Sequence, residues 1–200
     1  MARILITEQI DGAAVDQLSQ HHEVLIEHRL WSDMEQLEAR SVDIDAIIVR
    51  NQTQVTADLI QSASHLKVIG RAGAGLDNID CDAASKANVV VCYTPSENSL
   101  SVAELVMGYM LSLARDIPAA QQSTSKGNWE RKRFTGSELS GKTLGIIGFG
   151  RIGTLVAERA NAFGMTVIAH DEFLTPDAPH LLENDVELMG LSDLLSQSDF

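Results

Sequence analysis

Cysteine is scarce in this 200-residue sequence, with only Cys81 and Cys92 present. They lack CxxC spacing and lie among apolar or small residues, so they are expected to be buried free thiols in a reducing compartment, and no metal site is expected. Basic residues are also few: 15 Lys and Arg stand against 28 Asp and Glu, a formal charge of −13. That balance argues against nucleic-acid binding, because phosphate contacts need a basic surface. An anionic ligand would need a locally basic pocket, which makes single arginines informative. Proline is limited to 4 residues, no internal repeat is present, and no apolar run reaches transmembrane length. The run Ile4–Ile6 is too short for a signal-peptide core. These absences exclude disulfide scaffolds, low-complexity chains and membrane spans, and point to a cytoplasmic location. What is there is ordinary globular material, 44% hydrophobic and 22% charged, enough for a core of one large or two small domains.

Short apolar runs alternate with helical patterns along the first half. Strands are expected at Arg3–Thr7, Glu23–Ile26, Ala46–Val49, Lys67–Gly70 and Val89–Cys92. Helices are expected at Asp11–Ser19, Asp33–Arg40, Asp58–Ser64 and Ile79–Ala87. This order predicts a parallel sheet covered on both faces. Tyr93–Ser99 (YTPSENS) breaks the pattern and is the best linker. Ser101–Arg115 then forms a helix apolar over most of its circumference, with Ser101 and Glu104 in capping-box spacing. A domain interior or a subunit interface would cover it. Gln121–Gly136 is polar and irregular and carries the basic cluster Arg131, Lys132 and Arg133. A strand at Thr143–Gly148, a helix at Ile152–Phe163, a strand at Thr166–His170 and a weaker helix at Leu191–Ser196 follow.

The stretch GKTLGIIGFGRIG holds glycines at 148, 150 and 153, spaced G-x-G-x-x-G after an apolar strand and before an amphipathic helix. In a dinucleotide site the first glycine permits a tight turn, the second lets backbone approach the pyrophosphate, and the third allows close helix-on-strand packing. Arg151 and Ile152 occupy the helix N-terminus, where free N–H groups favour the pyrophosphate. The next strand leads to Asp171, 18 residues beyond Gly153, suited to the adenosine ribose hydroxyls. A carboxylate there repels a 2′-phosphate, so NAD is expected rather than NADP.

The segment GNWERKRFTGSELSGKTLGIIGFGRIG, with AFGMTVIAHD after it, resembles the D-isomer-specific 2-hydroxyacid dehydrogenases, within them the 3-phosphoglycerate dehydrogenase branch. VRNQTQVT, VIGRAGAGLDNID and TPSENSLSVAELVMG agree, so the resemblance covers essentially the whole chain. It implies an α/β protein of two Rossmann-like or flavodoxin-like doubly wound parallel-sheet domains. Residues 1–95 would be the substrate-binding domain and 96–200 the NAD-binding domain, the latter incomplete. It implies a substrate set of Arg50, Asn51, Arg71, Ala72, Gly73 and Gly75, with the amides of the 71–75 loop holding a substrate carboxylate. It also implies a cofactor set of Ala74, Gly148, Gly150, Arg151, Ile152, Gly153 and Asp171. Residues 131–133 either approach an anionic substrate, across a subunit boundary, or form a solvated basic face. Tyr93, Glu97 and Ala74 depart from the residues common at their positions, which leaves phosphoglycerate, glycerate and sulfolactate open as substrates.

The family's catalytic His, Arg and Glu match no segment of this sequence. The six histidines, at 21, 22, 28, 65, 170 and 180, receive no catalytic role; His170 neighbours the adenine side only by adjacency to Asp171. The ending LLSQSDF is expected to lead into a further strand, making the chain the N-terminal part of a longer enzyme. The resemblance implies a small anionic 2-hydroxy or 2-oxo acid as substrate and a homodimer formed through the 101–115 helix. Two other readings are a catalytically inactive NAD-binding regulatory protein of the same fold and a non-functional fragment.

Overall fold

Four-residue apolar runs between polar turns form the strands of the first unit: β1 (Arg3–Ile6), β2 (Glu23–Ile26), β3 (Ala46–Val49), β4 (Val68–Arg71) and β5 (Val90–Tyr93). In the computed structural model, which describes all of Met1–Phe200, the chain divides into Met1–Asn98 and Ser99–Phe200. The first sheet has the order β2-β1-β3-β4-β5, every pair parallel. Sequence neighbours β1 and β2 run outward one way and β3, β4 and β5 the other, so the topology reverses between β1 and β3.

Helices α1 (Ala13–His21), α2 (Met34–Ser41), α3 (Ala57–Ser62) and α4 (Cys81–Lys86) connect these strands. Three start on a side chain that satisfies an orphan amide. Asp33 accepts from the Gln36 amide at 3.0 Å, Thr56 from Leu59 at 3.2 Å and Asp80 from Ala83 at 2.8 Å. Leu37, Ile44, Ile47, Leu59 and Ile69 are fully enclosed between helices and sheet. Truncating one of them to Ala costs about 2–5 kcal/mol through lost transfer energy and the cavity left behind.

The second unit contains α5 (Ser99–Arg115), α6 (Ile117–Ser125), β6 (Thr143–Ile147), α7 (Arg151–Ala162), β7 (Thr166–His170), α8 (Pro179–Glu183), β8 (Glu187–Leu188) and α9 (Leu191–Gln197). Its sheet is parallel with the order β6-β7-β8. Val156, Ala157 and Ala160 of α7 meet Ala103, Met107 and Met110 of α5 in one core with Leu144 and Val167. Small residues on α7 bring the helix close to its neighbours. Beyond α9, the amides of Asp199 and Phe200 donate to the Thr143 carbonyl at 2.9 and 3.2 Å, and the Gly145 amide to the Phe200 carbonyl at 3.0 Å, so the last residues run along β6.

Several expectations need correction. Helix α5 begins at Ser99, so Ser101 lies inside its first turn and no Ser101–Glu104 capping box exists. Nor is the helix covered all round: it buries Ala103, Met107, Met110 and Ala114 and exposes Leu105, Tyr109 and Leu113. The stretch from 121, expected to be irregular, begins inside α6. Asp116 adopts a left-handed conformation that separates α6 from α5, and a proline in the first turn, where no amide donor is needed, starts it. Cys81 is half-buried and Cys92 exposed; both are free, but they are not core thiols.

Candidate functional site

Two glycines of the fingerprint are required by the local geometry, and the third leaves space open. Gly148 has φ +88°, where a side chain would be strained, and its amide donates to the His170 carbonyl at 2.8 Å. Gly150, the residue before α7, has open space where a Cβ would project. A Cβ on Gly153 would lie 2.6 Å from the Gly148 carbonyl oxygen, so only glycine lets α7 pack against the turn. No side chain caps α7, and its exposed start at Arg151 and Ile152 presents helix-end amides toward the open side of Gly150. That is the arrangement a pyrophosphate needs.

Asp171 follows β7 and reaches back to this turn. Its Oδ2 accepts from the Phe149 amide at 2.8 Å and its Oδ1 from the Phe173 amide at 2.9 Å. The Phe173 and Phe149 amides hold its carboxyl below the ordinary 3.8, so it is ionised at neutral pH. The Phe149 ring, buried between the glycines, stacks on His180 with centroids 5.7 Å apart. His170 is tied through Nδ1 to the Met189 carbonyl at 3.0 Å. All the predicted cofactor residues of this unit lie on or beside one turn. Ala74 lies in the other unit.

The first unit gathers its predicted residues on two loops after β3 and β4. Arg50 and Asn51 are exposed at the start of the loop after β3. Arg71 is the last residue of β4, and Ala72, Gly73, Ala74 and Gly75 follow it. Not every amide of the 71–75 loop is free for the expected carboxylate: Ala72 donates to the Val49 carbonyl at 2.9 Å, and a further constraint falls on Gly73. Its amide donates to the Arg71 carbonyl at 2.9 Å, and a Cβ there would collide with the Arg71 guanidinium, which folds back over the glycine. Gly73 therefore makes room for the chain's own cation. Within the protein, the amides of Ala74 and Gly75 donate to no acceptor. The Arg71 Nε is buried without a partner.

Two residues that sequence reasoning missed organise this crest. Glu8, only 3% exposed, accepts from the backbone amides of Arg50, Asn51, Gln52 and Thr53. Asn78 donates to the Arg50 and Thr53 carbonyls at 3.2 and 2.7 Å. For the first, the sequence offers only a Glu just past an apolar strand run, with nothing to mark its burial. No sequence signal marked the second. Of the basic cluster, Arg133 pairs with Glu130 at 3.4 Å and covers the Phe134 ring at 5.1 Å. A groove of about 650 Å³ beside Leu111, Ile117 and Phe134 involves none of the predicted site residues.

Residues 107–200 match the family described as D-isomer specific 2-hydroxyacid dehydrogenase, NAD binding domain. The whole chain aligns with the D-3-phosphoglycerate dehydrogenase of Methanocaldococcus jannaschii at 44% identity over 201 residues. Through residues 107–200 the chain belongs to the NAD binding domain family of the D-isomer specific 2-hydroxyacid dehydrogenases. It spans 38% of the length of that archaeal relative. Among solved structures, the TT0316 protein from Thermus thermophilus superposes with a TM-score of 0.88 at 30% identity, covering 98% of this chain and 62% of the other. D-Lactate dehydrogenase from Aquifex aeolicus, complexed with NAD and lactic acid, superposes with a TM-score of 0.85 at 26% identity, covering 98% of this chain and 58% of the other. The doubly wound parallel-sheet class and NAD as cofactor agree with this membership.

Proposed function

We propose that the chain supplies the cofactor grip and the substrate-facing loops of an NAD-dependent oxidoreductase acting at C2 of a small anionic D-2-hydroxy acid, with 3-phosphoglycerate the first candidate. The observation that carries this reading is the glycine turn. Gly148 and Gly153 each meet a separate steric demand, Gly150 leaves open space at the start of α7, and the Asp171 carboxylate is hydrogen-bonded to the Phe149 amide between Gly148 and Gly150. Bound NAD would accept a hydride from the substrate's C2–H. The amides at the start of α7 would hold the pyrophosphate, and Asp171 would bind the ribose hydroxyls while repelling a 2′-phosphate.

In the first unit Arg50 and Arg71 supply positive charge in a chain of net charge −13, and the amides of Ala74 and Gly75 are available to a carboxylate. The alignment with a named D-3-phosphoglycerate dehydrogenase over the whole chain supports the phosphorylated substrate. The exposed stripe Leu105, Tyr109 and Leu113 on α5 suits a second copy of the chain, so a homodimer belongs to the same reading, as does a cytoplasmic location. Calorimetric titration with NADH and NADPH tests it, beside turnover of D-3-phosphoglycerate by this chain and by its longest natural form. NADH should bind at least about tenfold more tightly than NADPH. Equal affinity, or no binding by a folded chain, would end the cofactor assignment.

A further inference from the structure

In a doubly wound sheet, ligands favour the carboxyl ends of the strands where the topology reverses. In the first unit that place, between β1 and β3, is filled by the protein itself. The Glu8 carboxylate accepts from Arg50 at 2.8 Å, Asn51 at 3.2 Å, Gln52 at 3.0 Å and Thr53 at 3.0 Å. The Thr7 and Thr53 hydroxyls meet at 2.7 Å beside it. Asn78 grips the same loop from its carbonyl side. Four consecutive amides converging on one anion form a nest, closed here by an internal ligand. The Arg50 side chain, exposed to solvent, therefore departs from a backbone with little freedom.

We propose that Glu8 is a positioning residue for substrate recognition: it fixes the backbone that carries Arg50 and Asn51 next to the loop after β4, whose Ala74 and Gly75 amides would receive the substrate's carboxylate. This rests on the substrate reading given above. The charge matters as well as the shape. A glutamine in the same place presents one acceptor oxygen and one NH2 group, and the NH2 would face amide donors it cannot satisfy. Burial pushes the Glu8 carboxyl up, but the Thr53, Arg50 and Gln52 amides outweigh it and hold the group below 4.5, so the nest is closed by an anion at neutral pH.

The test uses the longest natural form of the protein and compares wild type, Glu8→Gln, Glu8→Asp and a core control, Ile44→Val. With D-3-phosphoglycerate and NAD, Glu8→Gln should raise KM for the hydroxy acid about tenfold, hold kcat within about threefold and leave KM for NAD unchanged. Glu8→Asp, which keeps the charge on a shorter stem, should fall between and serves alone if the glutamine variant does not fold. Amide hydrogen exchange should accelerate at residues 50–53 but not in β4. An unchanged KM in the variants, or the same KM change in Ile44→Val, would overturn the proposal. Wild type that neither binds nor oxidises the hydroxy acid would overturn the substrate reading instead.

Discussion

The crest of the first sheet and the glycine turn of the second occupy the same place in similar parallel folds, yet one is sealed and the other open. In the first unit a carboxylate from just beyond β1 takes four amides. In the second, Gly148 and Gly150 flank Phe149 beyond the leading strand β6, and Asp171, from beyond β7, takes only the Phe149 amide of that turn, leaving the end of α7 uncapped. The difference shows how one architecture can fill its strand-end amides with its own carboxylate or leave them bare. A long acidic side chain after the first strand turns the crest into a rigid platform for cationic side chains. Glycines at the equivalent place leave the helix-end amides of α7 without a side-chain partner.

The strongest way to break the contrast is Gly153→Val. Its side chain would enter the space of the Gly148 carbonyl, 2.6 Å from the Cβ position, and should destabilise the chain by about 3 kcal/mol while abolishing NADH binding. Urea denaturation and NADH titration measure the two effects. Acidification attacks the sealed crest next. Because the Glu8 carboxyl lies below 4.5 in the folded chain, its stabilisation is complete above that value and is lost as pH falls through the lower folded value. Unfolding followed by circular dichroism should show wild type losing stability there, and Glu8→Gln, about 2 kcal/mol less stable at pH 7, should lose correspondingly less on acidification.

A smaller change sharpens the open side. Asp171→Asn should narrow the preference for NADH over NADPH by about tenfold, with the Phe149 amide still able to donate to the side-chain oxygen; competition titration with the two nucleotides reads this directly. The smallest effect on folding is expected at α5. Leu113→Glu, at a position 76% exposed, should change monomer stability by less than about 0.5 kcal/mol while shifting sedimentation toward monomer. A wild-type protein that sediments as a monomer at micromolar concentration would remove the dimer.

Local pattern made much of this molecule readable. Ala46–Val49, Glu23–Ile26 and Thr166–His170 are strands with the expected bounds, because a short apolar run between polar turns has few other places to go. The linker at Tyr93–Ser99 contains the division at Asn98 and Ser99. Helix α6 was hidden by its polar composition. The exposure of Leu105, Tyr109 and Leu113 was hidden because apolar content alone does not say which face a neighbour covers.

By itself the sequence determined the parallel α/β pattern and the glycine turn, since Gly148, Gly150 and Gly153 act within six consecutive positions and the demands on Gly148 and Gly153 follow from the strand–turn–helix they join. Tertiary structure alone decided that Glu8 would close the loop at Arg50–Thr53, 42 to 45 residues away, that Asn78 would brace it, and that Arg71 would fold across Gly73. Each of these depends on which strands lie side by side and where their ends meet, and one-dimensional spacing carries no record of that adjacency.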